Sequence, residues 1–225
     1  IISYCVVTNT ANSGIAPGLG NTGSIDHNIV SKAMQLLNDG GGIYAFHQRT
    51  SNNPFTNFVI EYNFVSDIPL VAINNQCIYL DNRVKGNIIR YNTLYNTLSS
   101  GILVNADTEE NTLTNNTVFR CQEGVNFRDW AAPSEIYDLT MNVLNDNILV
   151  SGIAADTNLS VVDLANPYAN GGGADRNYYV NPYEVLIAKA NTTEQTLAQV
   201  RTAYSQDVNS SAVVNYRTIV DPDND

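Results

Sequence analysis

Apolar positions recur along this chain in two short patterns. The first is an aliphatic residue, two variable residues, usually Asn, then a variable and an aliphatic residue. It reads Ile2-SYC-VV, Ile25-DHN-IV, Ile60-EYN-FV, Ile89-RYN-TL, Leu113-TNN-TV and Leu144-NDN-IL. Its fourth position holds Cys5, Asn28, Asn63, Asn92, Asn116 and Asn147, at intervals of 23, 35, 29, 24 and 31 residues. Intervals this uneven exclude a helical repeat of fixed length. They suit a coil whose turns share strands but carry loops of different size.

A second series lies between the first and reads Gly14-IAPG, Gly42-IYAF, Cys77-IYLD, Gly101-ILVN and Gly124-VNFR. The residues one and three after the Gly or Cys are mainly aliphatic, which is strand alternation. Two short strands per turn, recurring in register, predict a parallel β-solenoid whose turns bury aliphatic columns and stack Asn side chains. No amphipathic helix of the length needed for crossovers separates the strands, so an open parallel sheet is set aside. Alternation sends positions two and four outward. Position two is Ala16, Tyr44, Tyr79, Leu103 and Asn126; position four is Gly18, Phe46, Asp81, Asn105 and Arg128.

Composition narrows the class. The 225 residues include 32 Asn and only three Lys, and charged residues are 15 %, against roughly a quarter in an ordinary domain. Asn accepts left-handed backbone and bonds its own turn, so its abundance means many tight corners. The net charge of −11 repels phosphate backbones and anionic lipid, which argues against nucleic acid and membrane partners. Cys5, Cys77 and Cys121 cannot all pair, and two His leave few ligands for zinc, so no metal is expected.

The order of these motifs resembles the right-handed parallel β-helix of the pectate-lyase-like superfamily. Asn38-DGGGIYAF, then IEYNFVSD and CIYLDN, resemble bacterial carbohydrate-active β-helix glycoside hydrolases. Asp175-RNYYVNP, a predicted helix over 193–204, Ser205-QDVNS and Val220-DPDND resemble the segment that follows the coil in such enzymes. The expected fold is all-β, with coil turns over 1–165 and a loop and short-helix tail over 166–225. Because residue 1 falls inside a repeat, preceding turns from the same or an associated chain are expected to cover that end.

The resemblance implies a secreted or cell-surface enzyme that hydrolyses a polysaccharide or oligosaccharide with two carboxylates and no cofactor. It carries over Asp39 from the DGGG motif and Asp81 from the YLD motif. Counted along extended strands, Asp39 and Asp81 stand roughly 20 Å apart, while Asp107 comes within about 8 Å and Asp129 within about 10 Å of Asp81. Asp107 is therefore the other candidate for the second carboxylate. Tyr44, Phe46 and Tyr79 offer a platform for sugar rings, with His47, Asn105 and Asp129 beside it. Arg128 reads either as an ion-pair partner of Asp81 and Asp129 or as a binder of a substrate hydroxyl or carboxylate. Two further readings stand: a non-catalytic glycan-binding or structural spike, and a polysaccharide lyase. A lyase would bring in calcium to neutralise a uronate, and so acidic a chain matches a polyanion poorly.

Overall fold

The computed structural model describes residues 1–17, 22–46, 56–69, 75–129, 139–162 and 166–213. Every turn of the coil begins with a short strand, and these strands stack in chain order into a parallel sheet. They are Ile2–Ser3, Gly23–Asp26, Phe58–Glu61, Ile88–Arg90, Thr112–Thr114, Val143–Asn145 and Gly173–Asp175. Their register sets Ile2, Ile25, Ile60, Ile89, Leu113, Leu144 and Ala174 in one column. From Ile25 onward this column is buried. Each CH2 taken from water there contributes about 0.8 kcal/mol, so the column is the aliphatic spine that the first pattern announced.

A tight corner follows each of these strands. Tyr4, His27, Tyr62, Tyr91, Asn115, Asp146 and Arg176 all have φ between 55° and 59°, the left-handed region. The next residue in each turn from Asn28 to Asn177 is a buried Asn that satisfies the corner. Asn92 shows the arrangement. Its Nδ2 donates to Ile60 O (2.9 Å) and Asn116 Oδ1 (3.0 Å), while its Oδ1 accepts from the Asn63 backbone N–H and Nδ2 (both 3.0 Å). Such a ladder leaves no corner donor or acceptor buried without a partner. On its outer side the rings of Tyr4, His27, Tyr62 and Tyr91 stack at 4.8, 5.0 and 5.0 Å.

A second amide ladder lies five residues earlier. Asn111 Oδ1 accepts from Asn87 N–H (3.0 Å) and Nδ2 (2.9 Å), and Asn142 Oδ1 accepts from Asn111 N–H (3.1 Å). The sequence signal for it is a recurring N-x4-N spacing, at 87/92, 111/116 and 142/147.

After the corner the chain runs through two more strand segments, merged in Thr93–Asn105 and Thr117–Arg128 and separate in other turns. The segment carrying the second pattern aligns Ile43, Ile78, Ile102, Val125 and Leu159 as a buried column. The Gly or Cys before that column also points inward. A Cβ on Gly14, Gly42 or Gly101 would run into the side chain of Val30, Val65 or Val118, which explains why the position stays small.

The coil does not stop at residue 165: the tail expected over 166–225 contains a further turn. Gly173–Asp175 and Tyr178–Val180 pair in parallel with the turn before them, and Asn177 extends the ladder by accepting from Asn147 Nδ2 at 3.1 Å. The sequence hid this turn because Ala174 stands where the pattern has Ile or Leu. The ladder ends on buried Asp207, whose Oδ1 accepts from Asn177 Nδ2, Tyr179 Oη and Ser210 Oγ. The expected helix over 193–204 is shorter. Thr193–Thr196 is instead a strand antiparallel to Leu186–Ala190, and the helix spans Leu197–Tyr204. Thr196 caps it reciprocally with Gln199, and Leu197, Val200 and Tyr204, which share one face, are buried.

Candidate functional site

The outward positions of the second pattern converge across three successive turns, on the strands Gly40–Phe46 and Asn75–Asp81 and the end of Thr93–Asn105. Register sets Tyr44 beside Tyr79 and Phe46 beside Asp81. The Tyr44 ring lies 5.2 Å from the Tyr79 ring and 6.1 Å from that of Phe46. Tyr44 Oη donates to Asp81 Oδ2 at 2.9 Å, and Asn105 Nδ2, from the next turn, donates to Asp81 Oδ1 at 2.8 Å. Asn105 Nδ2 also reaches Tyr79 Oη at 3.3 Å, while its own Oδ1 is buried with no partner.

Asp39 joins this group, contrary to the extended-strand count that kept it roughly 20 Å away. Its backbone is left-handed, φ 63°, immediately before the Gly40–Phe46 strand, so the side chain swings back over the sheet. There Oδ1 accepts a long hydrogen bond, 3.5 Å, from Tyr79 Oη. Gly41 stays small because a Cβ there would crowd the backbone oxygens of Ile43 (3.0 Å) and Gln76 (3.1 Å). Tyr79 Oη thus bonds Asp39 directly and reaches Asp81 through Asn105 Nδ2, which donates to both the phenol and the Asp81 carboxyl group.

The two carboxyl groups differ in environment. Asp81 is 4 % exposed, and burial, with the nearby Asp39 charge, raises its pKa above the ordinary carboxylate range despite the donors on both oxygens. Asp39 is exposed and, with Tyr44, lines an open cleft of about 540 Å³ whose walls include Asn12, Ser13, Leu37 and Asn38. Burial also raises the Tyr44 and Tyr79 phenols, so both remain hydroxyl donors at every working pH. A buried acid held high, an exposed carboxylate on the cleft and a phenol and an amide linking them form an arrangement able to move a proton.

The remaining candidates are placed as follows. Asp107 is not part of the group. The corner at Ala106 and Asp107 is left-handed, φ 32° and 54°, and turns Asp107 to Arg83, whose Nε is 3.3 Å from Oδ2. Arg128 sits in register with Asn105 one turn on, and Asp129 follows it with its N–H bonded to Val162 O at 3.1 Å. His47 lies outside the described residues. Sequence reasoning missed the link through Tyr79, because contact between neighbouring turns depends on side-chain reach rather than on strand count.

Parallel strands stacked turn upon turn around an aliphatic core define the class as a parallel β-helix. The family pattern described as "right handed beta helix region" matches residues 1–161, and the chain belongs to that family. The fold is found in some enzymes of the pectate-lyase-like kind and fits carbohydrate-active as well as structural proteins. Comparisons with curated proteins and with solved structures returned no match.

Proposed function

We propose that the protein is a glycoside hydrolase acting on a polysaccharide or oligosaccharide, with Asp81 and Asp39 as its carboxyl pair. The observation that carries this reading is the hydrogen-bonded run from Asp39 through Tyr79 and Asn105 to Asp81. Asp81, whose raised pKa favours the acid form, is the proton donor to the glycosidic oxygen as the bond to C1 breaks. Its proton reaches the cleft through Tyr44, whose hydroxyl bonds Asp81 while its ring forms a cleft wall. Asp39 supplies the negative charge that balances the cationic sugar ring until water adds to C1, and the proton that water gives up restores the acid spent on the leaving group. Tyr44 and Phe46 offer apolar faces to the sugar. The net charge of −11 favours a neutral glycan and hydrolysis over elimination from a uronate.

Release of reducing ends from a panel of neutral polysaccharides tests the reading. Wild type should act on at least one glycan, and Asp39→Asn and Asp81→Asn should each lower that rate by about 100-fold or more. Full activity in either variant removes that residue from the mechanism. Unsaturated product absorbing in the ultraviolet would identify a lyase instead. The 4 % exposure of Asp81 favours a second reading, a glycan-binding spike in which the Tyr44 and Phe46 faces dock sugar without chemistry. Retention of a glycan with no product released would establish it.

A further inference from the structure

We propose that Glu123, with Asn126, Gln76 and Ser160 around it, forms a second sugar-binding site, so that the ligand is a neutral oligosaccharide lying along the coil axis. This rests on the glycan reading above but not on catalysis.

The residue just before the small Gly or Cys points to the same outer face as positions two and four. Gln76, Ser100, Glu123 and Thr157 occupy it in successive turns; Ser100 pairs in register with Glu123, and Glu123 with Thr157. This column leans towards position two. Asn126 Nδ2 donates to Glu123 Oε2 at 2.6 Å, and Ser100 Oγ donates to the same oxygen at 2.7 Å. Gln76 is fixed from the neighbouring turn, its Oε1 accepting from Ser99 Oγ (2.8 Å) and Ser100 N–H (2.7 Å).

What these bonds leave over points to a ligand. Gln76 Nε2, Asn126 Oδ1 and Ser160 Oγ are buried with no hydrogen-bond partner, on residues that are 0 % exposed. Ser160 adjoins Asn126 in register on the following turn. Asn105 Oδ1, in the site already described, is orphaned in the same way. Buried polar atoms without partners forfeit their hydration, so a run of them on one face calls for an explanation. The run holds a donor, an acceptor and a hydroxyl that can be either, beside a half-buried carboxylate whose Oε1 receives no hydrogen bond from the described residues. Sugar hydroxyls both donate and accept and answer all four. An anionic ligand is disfavoured by Glu123 itself and by Asp39 along the same face.

Turns stack about 4.8 Å apart, so Glu123 lies about 10 Å along the axis from the turn of Tyr79 and Asp81. Leu103, fully buried, fills position two between Tyr79 and Asn126. A chain of several sugar units spans that distance; a monosaccharide or disaccharide at Asp39 and Tyr44 does not reach Glu123.

The test measures binding by affinity electrophoresis and titration calorimetry, with neutral β-1,4-linked xylo-, cello- and manno-oligosaccharides of one to six units. For at least one series, wild-type affinity should rise about ten-fold or more between two and four units. In Glu123→Gln, and separately in Ser160→Ala, that rise should shrink to about three-fold or less. Ser160→Ala deletes a single oxygen and keeps the test decisive if Glu123→Gln does not fold. Affinity independent of length, a rise unchanged in both variants, or no binding of any series would overturn the proposal. Binding with the length effect but no reducing ends released leaves this site standing and removes the hydrolase reading. Hydrolysis without a length effect does the reverse.

Discussion

The corner ladder and the outer face around Asp81 are both built from polar side chains buried between stacked turns, yet they obey opposite rules. In the ladder the same residue recurs from Asn28 to Asn177, and each amide bonds the next. On the outer face, position four changes at every turn, from Phe46 to Asp81 to Asn105 to Arg128. The ladder amides from Asn28 to Asn177 are all bonded and only Asp207 Oδ2, at the ladder's end, is left over, whereas the face leaves Asn105, Gln76, Asn126 and Ser160 with orphaned atoms and holds a carboxyl group that burial disfavours. A task that every turn shares selects one residue for all of them. A task performed once selects different residues side by side, and tolerates polar groups whose partners the protein does not provide.

The largest effect on stability should come from breaking the ladder. Asn92→Ala removes the acceptor for Asn63 N–H and Nδ2 and the donor to Ile60 O, deep in the coil. It should destabilise by about 2–4 kcal/mol in chemical unfolding, because several buried groups lose their partners together. Gly101→Ala comes next, at about 1–3 kcal/mol, since the new Cβ meets the Val118 side chain and the Gly124 carbonyl oxygen. On the outer face, Tyr44→Phe removes one donor from Asp81 and should cost about 1 kcal/mol or less. If Tyr44 relays the proton, the same change should slow glycan turnover far more than it weakens the fold. The smallest effect should be that of Glu61→Gln, which breaks the 2.7 Å ion pair with Arg90 at the surface. There the change should be below about 1 kcal/mol and should shrink further in salt.

The same contrast explains what the sequence could tell. The aliphatic columns and most of the first ladder were legible, since repetition every turn is itself the signal. Asn177 escaped because Ala174 broke the aliphatic cue, and Asp207 because an acid replaced the amide. The second ladder was legible in the N-x4-N spacing but went unread. For the candidate site, alternation correctly put Tyr44, Phe46, Tyr79, Asp81 and Asn105 on one face. It misjudged Asp39 and Asp107, since both hang on left-handed corner residues whose direction no strand count gives. Strict alternation assigns Glu123 inward, whereas its hydrogen bond with Asn126 places it on the outer side.

The ladder serves the fold, whereas Asp81, the acid of the proposed hydrolase, is buried at some expense to it. Unfolding free energy against pH, compared between wild type and Asp81→Asn, tests that expense directly. The folded chain holds the Asp81 proton to higher pH than the unfolded chain, where the group titrates near about 3.9. Between those two points the folded state binds more protons, so wild type should lose stability relative to the variant as pH rises through that window. Acidification should restore it. The predicted result is two curves that converge in acid and separate towards neutral pH, with Asp81→Asn the more stable there. Curves that run parallel, or a wild type that gains on the variant as pH rises, would contradict the claim.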